Sequence, residues 1–274
     1  MLGPMTARLS LTRNGPDEAV PLVLLHAFPL DRRMWDDVLA ELDDLPVITL
    51  DAPGFGSSPA TEELAEAFGA PSEPTLTLYA DAVAGTLREA GVDRAVVAGL
   101  SMGGYATLAL AERHPDLLAG VGLLDTRAAP DPEAAREDRL RVAEEAAGPK
   151  GAGAVAPMIG KVLGTTSHAE RPEVVEKVRG WLAEAPPSGI AWAQRAMAAR
   201  PDRLAALEAL DVPALVLRGA EDLQSSQDDA ESMASALRDV EVVVVPRAGH
   251  LSAVEQPQEV ATALRALRER CLRA

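Results

Sequence analysis

The 274-residue chain predicts an α/β fold with a mostly parallel sheet of about eight strands, covered by helices on both faces and interrupted by one helical insertion. Three observations carry that expectation. Short apolar runs alternate with amphipathic helical stretches from residue 20 to residue 125. From Thr126 to about Arg200 the rhythm is lost and no buried strand is readable. It returns at Pro213 and runs on to a last amphipathic stretch. The implied division is a core of residues 1–126 and 200–274 with a mobile helical cap over 127–199.

Taken in order, residues 6–13 alternate as a half-buried strand and end in the turn Asn14-Gly15-Pro16-Asp17. Residues 20–26 read as a buried strand leading into His26-Ala27-Phe28-Pro29. Helical spacing follows over 30–42, with Asp31 as cap and Trp35, Val38, Leu39 and Leu42 on one face. Residues 46–51 form the next strand, running into Asp51-Ala52-Pro53-Gly54-Phe55-Gly56. After an irregular stretch with a short helix near 62–68, residues 75–90 make an amphipathic helix closed by Gly91. Strand 94–100, helix 102–113 and strand 120–125 follow. Beyond the insertion come strand 213–219, a helix near 228–237, strand 240–245 and a helix over 254–272.

Composition narrows the function classes. A formal net charge of −16 argues against nucleic acid and anionic membranes as partners and mildly disfavours polyanionic substrates, although a local pocket can override the global field. The hydrophobic fraction of 47% suffices for a large core, and the aromatic fraction of 3% makes it one of Ala, Leu and Val. Cys271 is the only cysteine, so neither an intrachain disulfide nor a thiolate metal cluster can form, and it reads as a structural residue. No secretory leader or apolar span is readable, which points to the cytoplasm.

Chemistry is concentrated in Val96-Val97-Ala98-Gly99-Leu100-Ser101-Met102-Gly103-Gly104-Tyr105. An apolar strand passes through Gly-x-Ser-x-Gly into a helix, a turn so tight that the serine is strained and its hydroxyl is lifted clear of the backbone. Gly99 and Gly103 suit it because a Cβ at either place would clash. The Met102 amide and the helix dipole then face any developing oxyanion. The bare pattern arises by chance in roughly one chain in ten of this length, so partners are required. Two late strands supply them, ending in Gly219-Ala220-Glu221-Asp222 and Pro246-Arg247-Ala248-Gly249-His250. In a parallel sheet both loops emerge at the edge where the elbow lies. A serine hydroxyl needs an imidazole to take its proton, and the imidazole needs a carboxylate to set its tautomer.

Four separated signatures, His26-Ala27-Phe28-Pro29, Asp51-Ala52-Pro53-Gly54-Phe55-Gly56, Gly99-Leu100-Ser101-Met102-Gly103-Gly104 and Gly249-His250, together resemble the α/β-hydrolase superfamily over nearly the whole chain. The elbow looks like that of small serine carboxylesterases and enol-lactonases. The resemblance implies the α/β-hydrolase fold, with Ser101 as nucleophile, His250 as base, Asp222 as acid and the amides of Phe28 and Met102 as oxyanion hole. The chain departs from the family's usual His-Gly at His26-Ala27, which asks for a different backbone next to Phe28. Asp222 competes with Glu221, read as solvent-facing, and with Asp125, a position from which some members take their acid. His26 and Asp51 read as braces of neighbouring loops, His114 as a helix-end residue and His168 as a cap residue without metal partners. Met158 and Trp192, with Trp181, divide evenly between the cap's pocket face and its internal packing; Met158 and Trp192 are the substrate-binding candidates.

The expected reaction is hydrolysis of a small carboxylic ester through an acyl-enzyme, without metal or organic cofactor, by a monomer or homodimer. Lactone cleavage and carbon–carbon bond hydrolysis use the same machinery, and a ligand receptor on the same fold is the alternative from another class. The scarcity of aromatics suggests an aliphatic pocket.

Overall fold

The computed structural model describes residues 8–16, 20–69 and 73–273. Among them seven strands form one sheet: β1 (Leu11–Asn14), β2 (Leu22–Leu25), β3 (Val47–Leu50), β4 (Ala95–Leu100), β5 (Leu118–Leu124), β6 (Ala214–Gly219) and β7 (Val240–Val245). Their order is β1-β3-β2-β4-β5-β6-β7. Only β1 runs antiparallel, against β3; every other neighbouring pair is parallel. The sequence suggests about eight strands, and seven are present among the described residues. The first strand is shorter than the expected 6–13, whose residues 6 and 7 lie outside the described residues, as does Asp17 of the turn after it.

Burial follows position in the sheet. Every residue of β2, β3, β4 and β5 is buried, as two-sided cover of a parallel sheet requires. The edge strand β7 is largely open, with Val242 and Val244 exposed. Helices Leu76–Glu89 and Met102–Arg113 pack on each other, and the latter lies on β2, β4 and β5. The helix Pro257–Arg273 packs on β4, β5, β6 and β7 and carries Asp36–Ala40 with it. The Thr75 hydroxyl accepts from the Leu78 N–H to cap the first of these helices, and Asp31 accepts from the Arg33 N–H at the start of the 3₁₀ turn Arg32–Trp35. Trp35, Val38 and Leu42 are buried as the helical spacing predicts. Cys271 sits under Gly120 with its thiol pushed up to about 11 by burial, a packing residue rather than a reactive one.

Between β5 and β6 the chain is helical, with no strand among the described residues. Helices Glu133–Ala147 and Pro187–Ala198 pair closely, and Pro187–Ala198 also touches Leu76–Glu89 of the sheet's cover. Val155, Val162, Val178, Leu182, Ile190 and Met197 are buried in the same continuous apolar cluster as the sheet residues. Among the described residues no helix is long and apolar enough to cross a membrane.

Candidate active site

β4 delivers Ser101 at the carboxyl edge of the sheet. The residue has φ 54° and ψ −109°, a positive φ that is strained for a side chain with a Cβ. The surroundings hold it there: the Ser101 N–H donates to the Leu124 carbonyl at 2.9 Å, and its carbonyl accepts from the Tyr105 N–H at 3.0 Å and from the Thr126 hydroxyl at 2.9 Å. The two glycines flanking it are needed for contact distance. A Cβ on Gly99 would stand 2.1 Å from the Gly103 carbonyl, and one on Gly103 would stand 2.2 Å from the Leu25 carbonyl oxygen.

The loops after β6 and β7 converge on the same edge. The Ser101 hydroxyl and His250 Nε2 are 2.8 Å apart, and His250 Nδ1 lies 2.9 Å from Asp222 Oδ2. The Asp222 carboxylate is itself held, since Oδ1 accepts from the N–H groups of Gln224 at 2.7 Å and Ser225 at 3.3 Å. The Ser225 hydroxyl donates to Oδ2. Both His250 and Asp222 are buried. Burial works against the imidazolium, but the adjacent Asp222 carboxylate outweighs it and holds the His250 pKa above its usual 6.5. Burial also works against the Asp222 anion; His250 and the donors around the carboxylate outweigh it and hold its pKa well below the usual range.

The other carboxylates near this chain have different partners. Asp125, at φ 44° just past β5, is fully buried; it accepts from the Gly219 N–H at 2.7 Å and from the Ser252 hydroxyl at 2.5 Å. It bonds to neither His250 nor Ser101, and burial together with the Asp222 charge pushes its carboxyl up to about 7. Glu221 is partly exposed, as the sequence suggests, yet it also has partners. It accepts from the Thr165 hydroxyl at 3.0 Å and from the Thr166 N–H at 2.8 Å, both in the helical insertion. Glu255, also buried, joins the same two parts: its carboxylate accepts from the N–H of Gly249 at 2.8 Å, the N–H of Gly164 at 2.8 Å and the Ser167 hydroxyl at 2.6 Å. The residues 164–167 of the insertion are thus tied directly to the loops that carry Asp222 and His250.

Phe28 and Met102 flank the serine. Their N–H groups donate to no acceptor among the described residues. Ala27 accommodates the turn without a positive φ, its N–H meeting the Met34 sulfur at 3.1 Å, and the Phe28–Pro29 peptide is cis. His26 is a brace. Its Nδ1–H donates to the Ala27 carbonyl at 3.0 Å, Nε2 accepts from the Ala52 N–H at 2.8 Å, and burial lowers its pKa. Asp51 braces as well, accepting from the N–H groups of Arg32 and Ser57, both at 2.9 Å. His114 lies at a helix end, 2.7 Å from Asp81.

A cavity of about 40 Å³ opens on Ser101 and His250. Met158 lines it, together with Phe28, Tyr105, Arg127, Arg139 and Met197. Trp192 does not: it lines a separate cavity of about 650 Å³ with Leu78 and Arg195. The aliphatic pocket that the composition suggests is therefore corrected, because two arginines and a tyrosine stand in its wall. Arg127 carried a readable signal, lying two residues past Asp125 at the carboxyl end of a core strand, where such sheets present their working residues. Arg139 carried none; its place depends on how the helix Glu133–Ala147 docks. Among the described residues no cluster of His, Cys, Asp and Glu has the grouping to hold a metal ion.

The chain as a whole is similar to proteins of known description. A thermophilic esterase from Thermogutta terrifontis, solved with malate bound, matches at a TM-score of 0.88 and 39% identity, covering 96% of this chain and 93% of its own. The enol-lactonase of Burkholderia xenovorans LB400 matches at a TM-score of 0.82 and 26% identity, covering 95% and 96%. A pimeloyl-[acyl-carrier protein] methyl ester esterase of Neisseria meningitidis is 28% identical over 255 residues, 86% of this chain and 88% of that one. The model of the alpha/beta hydrolase family matches residues 22–263, nearly the full sheet and the whole insertion, and the chain belongs to that family.

Proposed function

We propose that this protein is a serine hydrolase that cleaves a small carboxylic ester through an acyl-enzyme. The observation that carries this is the unbroken chain from the Ser101 hydroxyl through His250 to Asp222, 2.8 and 2.9 Å long, built on a strained elbow. In this reading His250 takes the serine proton as Oγ attacks the carbonyl carbon. The N–H groups of Met102 and Phe28 receive the oxyanion, and His250 then protonates the leaving alkoxide. Water repeats the sequence on the acyl group, and Asp222 keeps the imidazole in the productive tautomer and stabilises its charged form. Residues 127–199 act as a cap over a core of 1–126 and 200–274, with Met158 and Met197 on its pocket side. None of these steps requires a cofactor.

A lactone is the second reading, favoured by the match to an enol-lactonase over nearly the full length of both chains. The two substrates differ in whether the leaving alkoxide stays tethered to the acyl group, not in the residues used. Hydrolysis of p-nitrophenyl esters from acetate to decanoate, by wild type and Ser101→Ala in parallel, tests the assignment. The small cavity predicts an optimum at short acyl chains, and Ser101→Ala should abolish turnover. Turnover that survives the substitution would remove Ser101 as nucleophile.

A further inference from the structure

The wall of the Ser101 cavity carries more positive charge than its own partners neutralise. Arg127 has no carboxylate within ion-pair distance among the described residues; its Nη2–H donates only to the Gln224 carbonyl. Its Nε–H is buried and has no acceptor, and neither has the side-chain amide nitrogen of Gln224 beside it. Arg139, which also lines the cavity, shares a single carboxylate, Asp131, with Arg200, at 2.5 and 2.6 Å. Arg200 in turn stacks 4.1 Å over the ring of Tyr105, which lines the same cavity. That cluster has two guanidinium groups for one carboxylate, and Arg127 adds a third. Asp222 pairs with none of the three; its carboxylate faces His250, Gln224 and Ser225.

In a chain of net charge −16 this local excess of cation runs against the global field. Burying a guanidinium with an unmet donor is costly unless something supplies the missing acceptor. Surface arginines in such an acidic protein would find a carboxylate easily, and many here do. Arg127 instead stands close enough to His250 for its charge to oppose protonation of the imidazole. Without a carboxylate partner of its own, the Arg127 guanidinium lines the cavity beside the reacting atoms, where an anionic group of a bound molecule would meet it.

Resting on the serine-hydrolase reading, we propose that Arg127, supported by Arg139, forms an anion subsite, and that the substrate is a small ester or lactone bearing a free carboxylate a few bonds from the scissile carbonyl. A guanidinium offers a carboxylate paired donors in a fixed plane. The contact would orient the substrate so that its ester carbonyl lies over Ser101, and the charge would reject neutral esters of equal size. The cavity suits a short spacer, of the length found in a succinate or glycolate skeleton.

Two matched pairs of substrates test this, one for each side of the ester. Monomethyl succinate is compared with methyl 4-methylpentanoate, in which an isopropyl group replaces the carboxylate. Acetoxyacetate is compared with isobutyl acetate in the same way. In wild type the ratio of kcat/KM for the charged over the neutral ester should exceed one in at least one pair. Arg127→Met should lower that ratio about tenfold or more, chiefly through KM, and Arg127→Lys should restore part of it. If Arg127 only supports the loop of Asp222, both esters lose equally; a ratio within threefold of wild type in both pairs overturns the subsite. Calorimetric titration of succinate and of glycolate into Ser101→Ala separates the two proposals. Binding of either that is lost on adding Arg127→Met upholds the subsite even if no ester is cleaved. Ser101-dependent cleavage with unmoved ratios and no binding of either anion leaves the hydrolase standing and removes the subsite.

Discussion

Asp222→Asn exchanges one oxygen for a nitrogen at a place where the structure dictates which way the amide must turn. Oδ1 accepts from two backbone N–H groups, those of Gln224 and Ser225, while Oδ2 faces His250 Nδ1 at 2.9 Å. Two fixed backbone donors keep the amide oxygen of the new side chain at the Oδ1 place and leave its NH₂ opposite the imidazole. Nδ1 must then accept, so the ring proton moves to Nε2, which is 2.8 Å from the Ser101 hydroxyl. An imidazole protonated there cannot take the serine proton. The expected loss is about 10⁴ in kcat, the size seen when a triad aspartate becomes asparagine, or about 5 kcal/mol at about 1.4 kcal/mol per decade. The assay is p-nitrophenyl acetate hydrolysis across pH 4 to 9, with a thermal melt to show that the fold is kept. The base must be neutral to act, so activity rises with pH through the His250 pKa, which Asp222 holds above its usual value. Without that carboxylate the acidic limb of the residual activity should move to lower pH. A loss below tenfold in a folded variant, or a limb that moves upward, would refute the tautomer argument.

Two further substitutions probe stability. The Asp125 carboxyl is pushed up to about 7, so the folded chain keeps a proton that the unfolded chain releases near pH 4, and stability from this residue is lost as pH rises between about 4 and 7. Asp125→Asn cannot ionise; its Tm relative to wild type should therefore climb from pH 4.5 to pH 8, and an unchanged difference would sink the buried-proton assignment. Asp131→Ala strips the shared carboxylate from the Arg139–Arg200 pair, whose Arg200 side chain is 2% exposed. Urea unfolding should show a cost of about 3–5 kcal/mol, and less than about 1 kcal/mol would mean that water already compensates those cations.

Legibility from sequence tracked the range of the interactions. The elbow could be read because its constraint spans five residues: Gly99 and Gly103 are obligatory where strand and helix backbones come within contact distance. Helix ends such as Thr75 and Asp31 could be read for the same local reason. The residues brought together at Ser101 were readable because a parallel sheet delivers the ends of β4, β6 and β7 to one edge in any such fold. The tie of Glu221 to Thr165 and Thr166 could not be read, because those residues are distant in sequence and carry no periodic signal toward it. Met158 and Trp192 looked equivalent, yet only Met158 reaches the Ser101 cavity. The rotation of a helix about its axis depends on every neighbour it packs against.

From the sequence alone follow the alternation of elements, the strained serine, the order serine–acid–histidine and the strandless helical stretch between β5 and β6, because each depends on local sterics or on a rule common to parallel sheets. Tertiary packing set the position of β3 outside β2, the choice of Asp222 over Asp125 as the His250 partner, the ties through Glu221 and Glu255, and the meeting of Arg127 with Arg139. Those outcomes turn on distances between segments far apart in the chain, which no local pattern of residues encodes.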